Sequence, residues 1–168
     1  MKQQSYFPSF SVGIDPAGIG TTGIFIKTIG TRFPHYKYVQ VRCSNPTDSA
    51  NEILTIINNF KNKHHDLSLN VVVVENLHMG PEKMREVRAT RELIGILRYE
   101  LQNKMQLHYP ADKNKEIIKK ELKERTTKNE HSIHAKAILE AHFREKEFGY
   151  KCEKYNWEVI DYGTKKNW

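Results

Sequence analysis

The chain has 168 residues, with 27 Lys plus Arg against 20 Asp plus Glu, a net charge of +7. That length builds one domain with its own core, and the basic balance favours a polyanionic partner, most simply a nucleic acid. No signal peptide is visible and the longest apolar run is far short of a membrane span. Cys43 and Cys152 lack metal-finger or CxxC spacing and read as free thiols, so the expected setting is a reducing cytoplasm.

Residues 1–8 read as a short tail. Residues 9–15 predict a first strand, whose β-branched approach (Val12, Ile14) stops at Asp15. A glycine- and threonine-rich turn through Gly18, Gly20, Thr22 and Gly23 leads into a second strand over 22–29. A carboxylate at the end of a buried strand is costly unless paired. A divalent cation, or a phosphate-bearing substrate held through one, is the usual partner. A hairpin whose aspartate caps its own turn accounts for the same residues. Tyr36, Tyr38, Val39 and Val41 mark a third strand over 36–42. Pro46 and Thr47 open a helix, Ser49 and Glu52 have capping-box spacing, and Ile53, Ile56, Ile57 and Phe60 form its apolar stripe. The polar stretch 61–70 returns the chain to Val71-Val72-Val73-Val74-Glu75. Such a run reads as a central strand buried on both faces. Two central strands, each ending in a carboxylate, can build a divalent-cation site suited to phosphodiester chemistry.

After Pro81 the pattern predicts a helix from about Glu82 to Lys104, with Met84, Val87, Ile94, Leu97 and Leu101 on one side. Gly95 costs that helix about 1 kcal/mol relative to alanine, so it is expected to mark close packing against another helix. Leu107 to Tyr109 predict a short fifth strand, 112–124 and 128–147 two further helices, and Trp157 to Ile160 a last strand. The expected whole is a single domain over 1–168, with 1–8 and 148–168 peripheral: a mixed sheet with helices on its faces.

The last helix opens on Glu130-His131-Ser132-Ile133-His134-Ala135, with Thr127 and Glu130 at capping-box spacing. His131 and His134 share one helix face. Such a pair can hold a metal, and is also ordinary on a helix surface. Ahead of it, from Pro110 to Lys128, lie seven basic and four acidic residues. Lys113, Lys115, Lys119, Lys120 and Lys123 read either as a phosphate-contacting strip or as one solvated face of an amphipathic helix.

In this order the features resemble the RuvC-type Holliday-junction resolvases of the RNase H-like nuclease superfamily. Gly13-Ile14-Asp15-Pro16 with Thr22-Gly23 is similar to the family's first-strand motif, Glu75 to its second acid, and His131 to Ala135 to its last motif. The resemblance covers about residues 9 to 147. It implies an α/β, RNase H-like mixed five-stranded sheet with helices on both faces. It also implies a homodimer that nicks a four-way junction with Mg2+ or Mn2+. Asp15 would bridge two ions, Glu75 would hold one, and His131 and His134 would complete the other. The helix over 82–102 is the expected dimer interface, through Met84, Val87, Gly95 and Leu97.

Two positions depart from the family pattern. Ala17 replaces a glycine, and His134 replaces an aspartate, which leaves two certain carboxylates. Imidazole suits manganese better than magnesium, so the change allows a manganese preference, recruitment of Glu130, or a catalytically weak site. Two other functions stay open: a non-catalytic branched-DNA-binding protein, and a nuclease acting on an RNA–DNA hybrid. An ATP-binding actin-like fold also begins with a strand, an aspartate and a glycine turn, but needs a far longer chain. Abundant Lys, Asn and Ile hint at a phage or a low-GC bacterium.

Overall fold

The computed structural model describes residues 7–76, 84–109, 114–124, 130–143 and 157–162. Strands β1 (Ser9–Asp15), β2 (Gly20–Ile29) and β3 (Tyr36–Cys43) form an antiparallel meander. Helix α1 (Pro46–Lys63) crosses to β4 (Ser68–Glu75), which lies parallel to β1. Helix α2 (Arg85–Leu101) and a single 3-10 turn (Gln102–Lys104) cross to β5 (Met105–His108), parallel to β4. Helices α3 (Lys115–Glu124) and α4 (Glu130–Phe143) follow, and β6 (Trp157–Tyr162) runs parallel to β3. The sheet order is β5-β4-β1-β2-β3-β6.

The first five of these strands are the expected RNase H-like sheet. The sixth enlarges it: the segment expected to be a peripheral tail supplies an edge strand, two residues longer than predicted.

β1 and β4 are central and apolar on both faces because both faces are covered. On one side Val12, Ile14, Val72 and Val74 pack with Ile53, Ile57 and Phe60 of α1 and Leu93 and Leu97 of α2. On the other side Val71, Val73, Phe25 and Tyr38 receive Ala135, Ile138 and Leu139 of α4. Helix α3 rests on α4 through Ile118, Ile133 and Ala137. Helices thus cover both faces of the sheet.

Local predictions need three corrections. Helix α1 is capped by Asn45, whose Oδ1 accepts the Asp48 N–H at 2.8 Å, and not by Ser49. Ser49 is buried and turned toward the Asp15 turn, where its hydroxyl has a tertiary partner that a capping motif ignores. In α2, Val87 and Leu97 are core residues, so they are not available to a dimer partner. Gly95 does not mark close packing among the described residues: a Cβ built there meets none of their atoms within 4 Å. The first turn expected for α2 (82–83), Thr127 of the second capping box, the helical residues expected over 144–147, Lys113 and Cys152 lie outside the described residues. Cys43 forms no disulfide among the described residues. Among the described residues no helix is long and apolar enough to cross a membrane.

Candidate active site

The site sits where β1 and β4 end. Their parallel register pairs Gly13 with Val73 and Ile14 with Val74, so Asp15 and Glu75 end neighbouring strands side by side. Parallel neighbours run about 4.8 Å apart. Because side chains alternate, both acids continue the row of Gly13 and Val73, which faces α4.

Glycines bring α4 to them. A Cβ on Gly13 would lie 2.1 Å from the Ala135 carbonyl oxygen, and one on Gly23 would lie 2.0 Å from that of His131. Only a residue without Cβ lets the helix backbone settle on the sheet at those two points. The first turn of α4 is then held from β3, where Gln40 Oε1 accepts the His131 N–H at 3.0 Å. That satisfies one of the donors every helix N-terminus leaves open. With its backbone fixed, His131 reaches Asp15: Nδ1 lies 3.1 Å from Oδ2. If the neutral ring donates Nδ1–H to Asp15, its lone pair sits on Nε2. The contact is open to water, the side chains being 45% and 21% exposed for His131 and Asp15.

The turn after Asp15 is equally constrained. Thr22 Oγ1 accepts the Ala17 N–H at 2.9 Å and donates to the Ala17 carbonyl at 3.0 Å, and Ser49 Oγ approaches the same carbonyl at 3.3 Å. Gly18 donates its N–H to Thr90 Oγ1 at 3.2 Å, and a Cβ on it would meet the Ala89 carbonyl oxygen at 2.0 Å, which ties the turn to α2. Positive φ in this turn falls on Gly20 (110°), and Ala17 is not among the positive-φ residues, so alanine is tolerated where the resembled motif has glycine.

His134 points back along α4, with Nε2 3.9 Å from Glu130 Oε1. Lys115, Lys119, Lys120 and Lys123 are exposed on α3, which docks on the helix bearing His131. Lys119 also pairs with Glu116 at 3.5 Å, in the open.

Two more histidines stand beside these residues. His108 ends β5 directly opposite Glu75 in register, and its Nε2 lies 2.9 Å from Nδ1 of His142 in the last turn of α4. Burial, and then His108 itself, hold His142 below the ordinary histidine value. Glu75 and His108 are 33 residues apart in sequence, and no spacing rule pairs them.

In donor chemistry the set is two carboxylates with imidazoles. It suits a divalent cation that accepts both oxygen and nitrogen. The donors form a row along the strand ends: among the described residues, no three His, Cys, Asp or Glu side chains cluster closely enough to hold one ion.

No family model matches the chain, and no curated protein matches it by sequence. Solved structures do match by shape. The chain is similar to Thermus thermophilus RuvC in complex with a Holliday junction substrate, with a TM-score of 0.54 and 14% identity over 80% of this chain and 92% of that one. A second Thermus thermophilus RuvC structure gives a TM-score of 0.53 and 15% identity over 80% of this chain and 93% of that one. The fold is therefore RuvC-like.

Proposed function

We propose that this chain is a structure-selective endodeoxyribonuclease that resolves Holliday junctions or other branched DNA by divalent-metal-dependent hydrolysis. The observation that carries the reading is the pairing of Asp15 and Glu75 at adjacent strand ends, with His131 on Asp15, in a RuvC-like fold.

Asp15 and Glu75 would hold the cation, with His131 and His134 as nitrogen neighbours. A bound divalent ion activates water and neutralises charge developing on the phosphate. Asp15 orients the His131 ring through Nδ1. The Gly13 and Gly23 contacts hold that ring at the strand ends. The α3 lysines bind the DNA backbone without reading bases, so recognition rests on shape and charge. Two symmetric nicks need two sites, which a homodimer through α2 would supply. Of the residues first expected there, Met84 and Gly95 lie at the surface of α2.

The second reading is a branched-DNA-binding protein without catalysis. It is favoured by His134 standing where the resembled motif has aspartate.

The test is nicking of a labelled four-way junction in magnesium and, separately, in manganese. Cleavage is expected with manganese preferred, because nitrogen ligands serve a small hard ion poorly. His134→Asp should raise the magnesium-supported rate. Asp15→Asn should cut the rate by at least about 10²-fold, the scale of losing one charge-stabilising group, while junction binding persists. Tight binding with no cleavage in either metal would establish the second reading, and cleavage confined to an RNA–DNA hybrid would replace the substrate.

A further inference from the structure

The tip of the β2–β3 hairpin lies at the far end of the sheet from the candidate site. In the β1–β2 ladder Asp15 pairs with Gly23 at one end and Ser9 with Ile29 at the other, a separation of about 20 Å at the usual rise per residue. This tip is held in shape. Gly30 takes a φ of 73°. The buried Thr28 hydroxyl accepts the His35 N–H at 2.7 Å and contacts the Thr31 hydroxyl at 3.1 Å, and Thr31 donates to the Phe33 carbonyl at 3.0 Å. What so constrained a loop presents is an aromatic ring in water. Phe33 is 66% exposed, and the Arg32 guanidinium carbon stands 5.6 Å from its ring centroid.

The base of this tip meets the end of α1. His35 lies beside His64, the rings tilted and 5.6 Å apart between centroids, and the last turn of α1 carries Lys61 and Lys63. His64 lies below its ordinary value through burial first, then through its neighbours His35, Lys63 and Lys37, with Asp66 opposing. Lys37 of β3 and Lys63 of α1 thus both stand near His64.

We propose that the Arg32–Phe33 tip, with Lys37 and Lys63 behind it, is a second nucleic-acid contact that takes an unpaired strand. An exposed ring offers a flat face that only an unstacked base can meet, and stacking of this kind tolerates any sequence. Arg32 adds a cation next to the same ring. Lys37 and Lys63 supply charge for the phosphates on either side of the stacked base. A duplex keeps its bases in the helix, so it meets the cations but not the ring. This contact is independent of the nuclease reading, since neither Asp15 nor α3 takes part in it.

The experiment uses the full chain with a fluorescein-labelled oligothymidylate in EDTA, followed by anisotropy, with ultraviolet crosslinking to locate the contact. Phe33→Ala should weaken binding about 5- to 150-fold, the range for one stacked base, and Phe33→Trp should restore it. Lys37→Ala combined with Lys63→Ala should flatten the salt dependence by about 0.7 of a log unit per lost phosphate contact. Crosslinks should map to the peptide containing Arg32 and Phe33. An unchanged affinity in Phe33→Ala, or crosslinks absent from that peptide, overturns the proposal. Equal, Phe33-dependent binding of oligoglutamate would also overturn it, by assigning the tip to an acidic protein partner. Phe33 is exposed, so its loss does not endanger the fold.

Discussion

Helix α4 carries two charged contacts of opposite character. In its first turn His131 meets Asp15 with both side chains partly in water. One turn further on, Lys136 is enclosed between Glu121 of α3 and Glu140 of α4, all three buried. Burial pulls the Lys136 ammonium down, but Tyr38, Glu121 and Glu140 outweigh it and hold the group above the ordinary lysine value. Enclosed charges stabilise only as a complete set, because removing one strands the others without water. An open pair contributes little to stability, which leaves its residues able to do chemistry. Fold and candidate site therefore draw on the same helix through different physics.

The largest effect should come from breaking the enclosed set. Lys136→Met is expected to cost about 3–5 kcal/mol in urea unfolding, the usual penalty for orphaning a buried charge. Replacing Lys136, Glu121 and Glu140 together by apolar residues should recover most of it. His131→Gln should cost less than about 1 kcal/mol, yet depress junction nicking strongly. Equal stability losses for Lys136→Met and His131→Gln would erase the contrast.

Next in size is the packing that aims the open pair. Gly23→Ala puts a methyl group against the His131 carbonyl, so α4 must shift, at about 1–3 kcal/mol with a fall in nicking. Gly95→Ala, with nothing near it among the described residues, should instead stabilise the monomer by about 1 kcal/mol. Destabilisation there at concentrations where the protein dimerises would mark Gly95 as an interface residue.

A smaller effect separates α3's buried side from its exposed one. Neutralising Lys119 and Lys120 should leave stability nearly unchanged and reduce the salt slope of junction binding by about 0.9 per lost phosphate contact. An unchanged slope assigns both lysines to a solvated face.

The smallest concerns pH. Lys136 is raised, so its contribution is complete below about pH 10.5 and is lost only as pH climbs through the higher folded value. His142 and His64 are lowered, so the unfolded chain binds protons more readily below about pH 6.5, and stability should decline as pH falls from there. His142→Gln should remove part of that decline in a series of thermal melts from pH 8 to 5. A decline of the same size in His142→Gln would place its origin elsewhere.

Periodicity and composition determined much of this protein. The β-branched runs ending at Asp15 and Glu75, the stripe of α1 and the alternation of strands and helices specify the RNase H-like sheet and put two acids at strand ends, because burial on two faces demands continuous apolar sequence. Whatever depends on side chains far apart in the chain was decided only by tertiary structure. Ser49 reads as a capping residue, but folding aims it at the Asp15 turn. Nothing local marks Glu121 and Lys136 for burial, but docking of α3 on α4 encloses them. Gly13 and Gly23 read only as parts of a strand-and-turn motif, yet they serve to admit the α4 backbone. Gln40 beneath His131, and His108 beside Glu75, leave no trace in local pattern. Their positions come from the stacking of helix on sheet and the register between strands, and neither is encoded by neighbours along the chain.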